Sequence, residues 1–125
     1  MIFYLGSPLP EWLYKTAVPM FLSRRTLFKR KKLDRAKGAG VVGSGGLREL
    51  SMHGWWRTSA EQYADEALTY CETVGNLSWA AIQDWMCEPH MLKKTGQTVL
   101  GHQERTVESL LTLRSLAPEV PWAPV

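Results

Sequence analysis

Short apolar runs alternate with polar, helix-spaced stretches along the whole chain. Ile2 to Leu5 is apolar and aromatic and stops at Gly6-Ser7-Pro8, which predicts a first strand. Val18 to Leu22 and Gly38 to Val42 predict a second and a third, the latter running into Gly43-Ser44-Gly45-Gly46. Trp79 to Ile82 opens a fourth strand that reaches Asp84, and Val120 to Val125 begins a fifth. The four-residue core of the fourth lacks polar alternation, as strands buried on both faces do. Between the strands, Glu11 to Lys15 makes a helical turn behind Pro10, and Ser23 is placed to cap a basic helix from Arg24 to about Lys32. Leu47 to Trp56 reads as irregular. Thr58-Ser59-Ala60-Glu61 is a capping box, and Ser59 with Gln62 offers a second frame for it. Behind it Ala60, Tyr63, Ala64, Ala67, Cys71 and Val74 recur at helical spacing until Gly75. Pro89 to Lys94 opens a turn that Gly96 closes. A long helix follows from about Thr98 to Leu116, with Leu100, Val107, Leu110 and Leu111 as its apolar face.

A strand–helix order repeated in this way means an α/β fold, a parallel sheet with helices outside it. Four such units and an incipient fifth strand make the N-terminal half of a (β/α)8 TIM-type barrel, whose usual length is about 250 residues. Residues 1–125 are thus expected to form one partial barrel domain, a truncated or partial product. A half barrel leaves strand edges and apolar surface uncovered, which predicts self-association or poor solubility.

Composition narrows the class. At 125 residues, 45% hydrophobic and with six Trp, the chain has material for one core and is not disordered. Two cysteines make neither a disulfide framework nor a metal set, so a reducing cytosol is expected. Met1 to Leu5 lacks a basic leader, and no stretch approaches the length of a membrane span, so no membrane partner is expected. His53, His90 and His102 with the two cysteines give one close pair, Cys87-x-x-His90, short of the three or four ligands zinc needs.

The net charge of +3 conceals an asymmetry. Arg24, Arg25, Lys29, Arg30, Lys31, Lys32, Arg35 and Lys37 stand against the single acid Asp34. That block suits an anionic partner, nucleic acid first, although a solvated basic face reads the same way. The glycine cluster lacks the lysine of a phosphate loop. It offers a backbone without Cβ atoms that a flat ligand can approach, or else a plain turn. Asp84 ends a buried strand, where barrels keep their working groups, and the plainer alternative is a cap for the next helix.

Three strings together carry a family resemblance: Ser44-Gly45-Gly46 after a strand, Trp56-x-Thr58-Ser59-x-x-Gln62-Tyr63-Ala64, and Gln83-Asp84-Trp85-Met86-Cys87-Glu88-Pro89. They resemble the guanine transglycosylase superfamily, relatives of queuine tRNA-ribosyltransferase, and most of all its phage and bacterial deazapurine DNA-modification (DpdA-like) branch. The resemblance implies a barrel enzyme, a glycosyltransferase, that exchanges guanine in DNA or tRNA for a 7-deazaguanine base. It implies that Asp84 recognises the base, with Gln83 and the backbone of Ser44, Gly45 and Gly46 completing the pocket and Met86 and Cys87 lining it. A carboxylate suits that role, because it accepts two hydrogen bonds from the N1–H and amine of a guanine edge. Two departures stand out. The family's usual aspartate before Ser-Gly-Gly is Gly43 here. Its nucleophilic aspartate, and the zinc site of its tRNA-acting members, come from beyond residue 125. No cofactor is therefore expected in this segment, and no exchange by it alone. The alternative from another class is a non-catalytic nucleic-acid-binding module using the basic 24–37 segment.

Overall fold

The computed structural model describes residues 1–124. Five strands form one sheet: β1 (Leu5–Gly6), β2 (Met20–Ser23), β3 (Gly40–Gly43), β4 (Leu77–Ala81) and β5 (Trp122–Ala123). They lie side by side in chain order, and every pairing is parallel. An open doubly-wound sheet reverses its order at a switch point. This one does not, and the order is that of half a (β/α)8 barrel. The helices are α1 (Trp12–Lys15), α2 (Arg24–Leu27), α3 (Gly46–His53), α4 (Ala60–Thr69), α5 (Pro89–Thr95) and α6 (Val99–Leu116).

Strand alternation sorts the side chains into two faces. Met20, Leu22, Val42, Ala80 and Trp122 join Leu27, Tyr63, Ala67, Tyr70 and Leu113 in the core between sheet and helices. Phe21, Val41, Trp79 and Ala81 alternate with them on the opposite face. There Trp79 meets Phe21 and Tyr4 edge-on, with ring centroids 6.1 and 6.2 Å apart. Trp79 is consequently half-buried, not enclosed like the three residues after it.

Several elements depart from expectation for identifiable reasons. β1 is only two residues long and exposed, with Ile2 to Tyr4 outside it. Pro19 has no N–H to give, so β2 starts at Met20 in place of Val18, and the Pro19 carbonyl serves the amide of Leu5. The basic helix is one turn. Ser23 caps it as expected, accepting from the Arg25 amide at 3.3 Å. After Leu27 and Phe28 the next residues are Lys29-Arg30-Lys31-Lys32, whose like charges and lack of an apolar side give a helix nothing to pack. Leu47 to His53, read as irregular, belongs to α3, which buries Leu50 and follows Gly45 without a side-chain cap. α4 uses the Ser59 frame, with the Ser59 hydroxyl accepting from the Gln62 amide at 3.0 Å, and ends in a π-helical turn, Tyr70–Val74.

The largest correction concerns α6. Leu100, Val107 and Leu111 are exposed, and the buried stripe runs instead through His102 and Leu113 with Leu110 half-covered. β4 begins at Leu77 and ends at Ala81, which leaves Asp84 in the loop beyond it. The expected fifth strand is two residues long, and Val125 lies outside the described residues.

Tyr63 ties α4 to the end of β4. Its ring lies 5.3 Å from that of Trp122, and its hydroxyl donates to the Ala81 carbonyl at 2.6 Å. Tyr63→Phe removes that donor and leaves the carbonyl short of a partner. Loss of about 1–2 kcal/mol is expected, read by urea unfolding. An unchanged midpoint would show that water or another amide serves Ala81.

Candidate functional site

The carboxyl end of the sheet is organised by charges taken out of water. Arg24, the first residue of α2, grips Glu66 of α4 through Nε at 2.5 Å and Nη2 at 2.7 Å. Its Nη1 donates to the Thr58 hydroxyl at 2.9 Å and lies 3.5 Å from Glu49. Glu49, on α3, accepts from the amides of Arg57 at 2.6 Å and Thr58 at 3.1 Å and from the Thr58 hydroxyl. Burial alone raises the pKa of Glu49, but the Thr58 hydroxyl, the two amides and Arg24 outweigh it and hold the carboxyl below its ordinary 4.5. The Thr58 carbonyl in turn accepts from the Gln83 amide at 2.9 Å. The network therefore links α2, α3, α4 and the end of β4.

Three side chains, Trp56, Thr106 and His102, then hold the Asp84–Glu88 loop. From the α3–α4 connection, the Trp56 indole donates to the Asp84 carbonyl at 3.1 Å. From α6, the Thr106 hydroxyl accepts from the Trp85 amide at 2.9 Å. His102 is fully buried, with Nδ1 2.7 Å from the Met86 carbonyl and Nε2 2.7 Å from the Thr95 hydroxyl. A carbonyl only accepts, so Nδ1 carries a proton. Arg105 covers the Trp85 ring at 4.8 Å.

With its backbone so fixed, Asp84 lines a cleft of about 640 Å3 together with Trp85, Met86, Cys87, Glu88 and residues of α6. Among the described residues no side chain donates to its carboxylate. Burial, with a smaller contribution from Glu88 nearby, raises its pKa above the ordinary 3.8, although its own backbone amide pulls the other way.

The structure brings some of the sequence-picked residues together and separates others. Asp84, Met86 and Cys87 share the cleft. Gly46 abuts it: a Cβ there would lie 2.7 Å from the Trp56 ring and 3.1 Å from Met86 Cε, so only glycine fits. Ser44 is buried beside it and Gly45 takes φ +84°. Gln83 is turned away into the neighbouring cleft between the start of α4 and α6, as a strut to Thr58. At Gly43 a Cβ would meet the Phe21 ring at 3.0 Å. An aspartate in that place would need the ring to move.

The basic segment is divided as well. Arg24 is internal, Arg30 pairs with Glu11 at 2.9 Å, and Arg35 donates to the Glu72 carbonyl at 3.0 Å. Lys31, Lys32 and Lys37 are exposed, while Arg25 and Lys29 line a cleft with Arg48. Sequence reasoning passes over Glu49 and Arg48 and weighs His102 only as a metal ligand. Glu49 sat in a stretch read as irregular, and a histidine on a buried helix stripe looks like core until its loop partner is seen. Among the described residues no three His, Cys, Asp or Glu side chains come together as a metal site, and no helix is long and apolar enough to cross a membrane.

A parallel, sequentially ordered α/β sheet with an unpaired carboxylate in a cleft beyond its strand ends defines the class of barrel-type proteins whose sites lie on that rim. The family described as DpdA, DeoxyPurine in DNA protein A, matches residues 1–125, and the chain belongs to it. Comparison with curated proteins and with solved structures finds no match for the chain.

Glu49→Gln tests the network. One amide oxygen can still serve the two backbone amides, but the new NH2 faces Arg24. A loss of about 1–3 kcal/mol at neutral pH is expected. Because the folded pKa of Glu49 is lowered, its stabilisation is full above 4.5 and fades as pH falls through the folded value. The variant should therefore lose less stability than the wild type on acidification. Parallel acid limbs would remove Glu49 from the account.

Proposed function

We propose that this segment recognises a guanine-type base for exchange in DNA, with Asp84 as the group that reads the base. The observation carrying this is the Asp84 carboxylate, half-buried, without a donor side chain, on a loop pinned from two sides. An ionised carboxylate is an acceptor only and can take two parallel N–H donors, which is what the N1–H and exocyclic amine of guanine or a 7-deazaguanine present. Trp85, Met86 and Cys87 offer apolar and soft surface to the flat ring. Membership of a family described by deoxypurine in DNA supports DNA as the polymer in place of tRNA.

Base exchange also needs a nucleophile at the sugar carbon. Asp84, engaged with the edge of the base, does not fill that role. At Gly43, where related sequences usually keep an aspartate, no side chain is available. Residues 1–125 alone are therefore expected to bind a 7-deazaguanine and to leave guanine in DNA unexchanged. Release of guanine from DNA by this segment would contradict the assignment of roles.

Asp84→Asn replaces one of the two acceptor oxygens by a donor. Affinity for free 7-deazaguanine, measured by calorimetry, should fall roughly 30-fold or more, the equivalent of about 2 kcal/mol for a charge-assisted hydrogen bond. The same change should raise the melting temperature, since it removes a charge that burial disfavours. A variant that binds as well as the wild type would dismiss Asp84 as the reader.

The pH dependence has a definite sign. The folded pKa of Asp84 is raised, so its protonation favours folding, an effect full below 3.8 and lost as pH rises through the folded value. Base binding requires the ionised form. It should weaken on acidification at a higher pH than an ordinary aspartate would give, and Asp84→Asn should abolish that dependence.

A further inference from the structure

We infer that Arg25, Lys29 and Arg48 form a clamp for the phosphodiester backbone of DNA, one turn of chain away from the base cleft. The inference rests on the reading of this segment as one that handles a base in DNA, and it gives that reading its backbone contact.

The clamp is built by two successive strand ends. β2 delivers Arg25 and Lys29 through α2, and β3 delivers Gly45 and Arg48 at the start of α3. Together with Ser23 they line a cleft of about 390 Å3. Gly45 makes the approach possible. At φ +84° it has no Cβ, and one built there would stand 3.1 and 3.2 Å from the Cγ and Cδ of Arg25, so the arginine stem lies across the turn. No side chain caps the α3 N-terminus, which leaves its first amides open to an anion. Arg25 and Arg48 also line the adjoining cleft of about 490 Å3, which adds Arg57.

What sets Arg25, Lys29 and Arg48 apart is that they share one concave surface and have no acid to neutralise them. Among the described residues Arg24 is paired with Glu66 and Arg30 with Glu11, whereas Arg25, Lys29, Arg48 and Arg57 enter no ion pair. The one carboxylate in the adjoining cleft, Glu49, is already held by Thr58, the Arg57 amide and Arg24. Concentrated, concave and unpaired positive charge fits phosphate oxygens.

Position explains the use. Gly45 lines the cationic cleft, and at Gly46, the next residue, a Cβ would stand 3.1 Å from Cε of Met86 in the wall of the Asp84 cleft. An enzyme that works on a base must take that base out of the helix and hold the strand on which it sits. Contacts to phosphates fix register without reading sequence. Arg25, Lys29 and Arg48 are thus placed to hold the strand beside a base lodged at Asp84.

The test is the salt dependence of binding of the full 125-residue chain to a fluorescein-labelled single-stranded DNA 15-mer, by anisotropy. Each phosphate contact to a single strand contributes about 0.7 to the slope of log K against log salt. R25Q/R48Q, which keeps the arginine stem over Gly45, should flatten the slope by about 1.4. K93Q/K94Q removes the same charge from the exposed end of α5 and should leave the slope unchanged. Equal flattening by both pairs, or none by either, would overturn the clamp. Tryptophan fluorescence with free 7-deazaguanine separates this from the parent reading. R25Q/R48Q should bind the base like the wild type. If neither protein binds the base while R25Q/R48Q alone flattens the slope, the base reading fails and the phosphate clamp stands.

Discussion

The carboxyl rim of this sheet depends on one satisfied buried charge. Glu49 collects two backbone amides, a hydroxyl and an arginine, and Arg24 is in turn chelated by Glu66. Buried ion pairs often add little net stability, but removing one partner leaves the other uncompensated and is costly. Here the pair draws four elements to one point. It holds the chain from Arg57 to Thr58, which positions both Gln83 and, through Trp56, the Asp84 loop. The electrostatics of the rim is thus a positioning device for a carboxylate that takes no part in the network.

The contrast between Glu49 and Asp84 expresses the division of labour. Both are substantially buried, yet one has its pKa lowered by donors and the other has it raised for want of them. A carboxylate that the protein leaves unserved is a local cost to folding, and such costs collect where a ligand is meant to supply the missing partners. The rim also separates its tasks in space. The Asp84 cleft lies beyond β4, while the cations Arg25, Lys29 and Arg48 gather beyond β2 and β3. The turn at Gly45 and Gly46 joins the two, and both glycines are constrained by close neighbours.

Much of the fold was legible because its signals are local. Apolar runs bounded by Gly and Pro marked the strands, and Ser23, Ser59, Thr98 and Gly96 marked helix ends that the structure retains. What was illegible depended on tertiary partners. α3 was missed because its one fully buried leucine, Leu50, gives no periodicity and its key residue, Glu49, is a buried acid. On α6 the sequence shows two leucine-bearing faces, and the sheet selects the one that carries His102 and Leu113. At the site, Asp84 stood out by position and by resemblance. The resemblance sets Gln83 beside it in the pocket wall, and in the fold its side-chain amide serves the Thr58 carbonyl. The basic run hid a division that charge counting cannot see, since Arg24 and Arg25 are neighbours with opposite fates, one internal and one facing a cleft.

The central claim is that the Asp84 carboxylate awaits two donors from a base, and its own titration addresses this most directly. The carboxyl 13C signal of Asp84 should be followed with pH in the free chain and in the chain saturated with 7-deazaguanine. The account predicts a pKa above the ordinary 3.8 in the free protein. That value should move downward when the base is bound, because donors to the ionised form stabilise it. A titration that the base leaves unmoved would contradict the claim and would place recognition elsewhere on the rim.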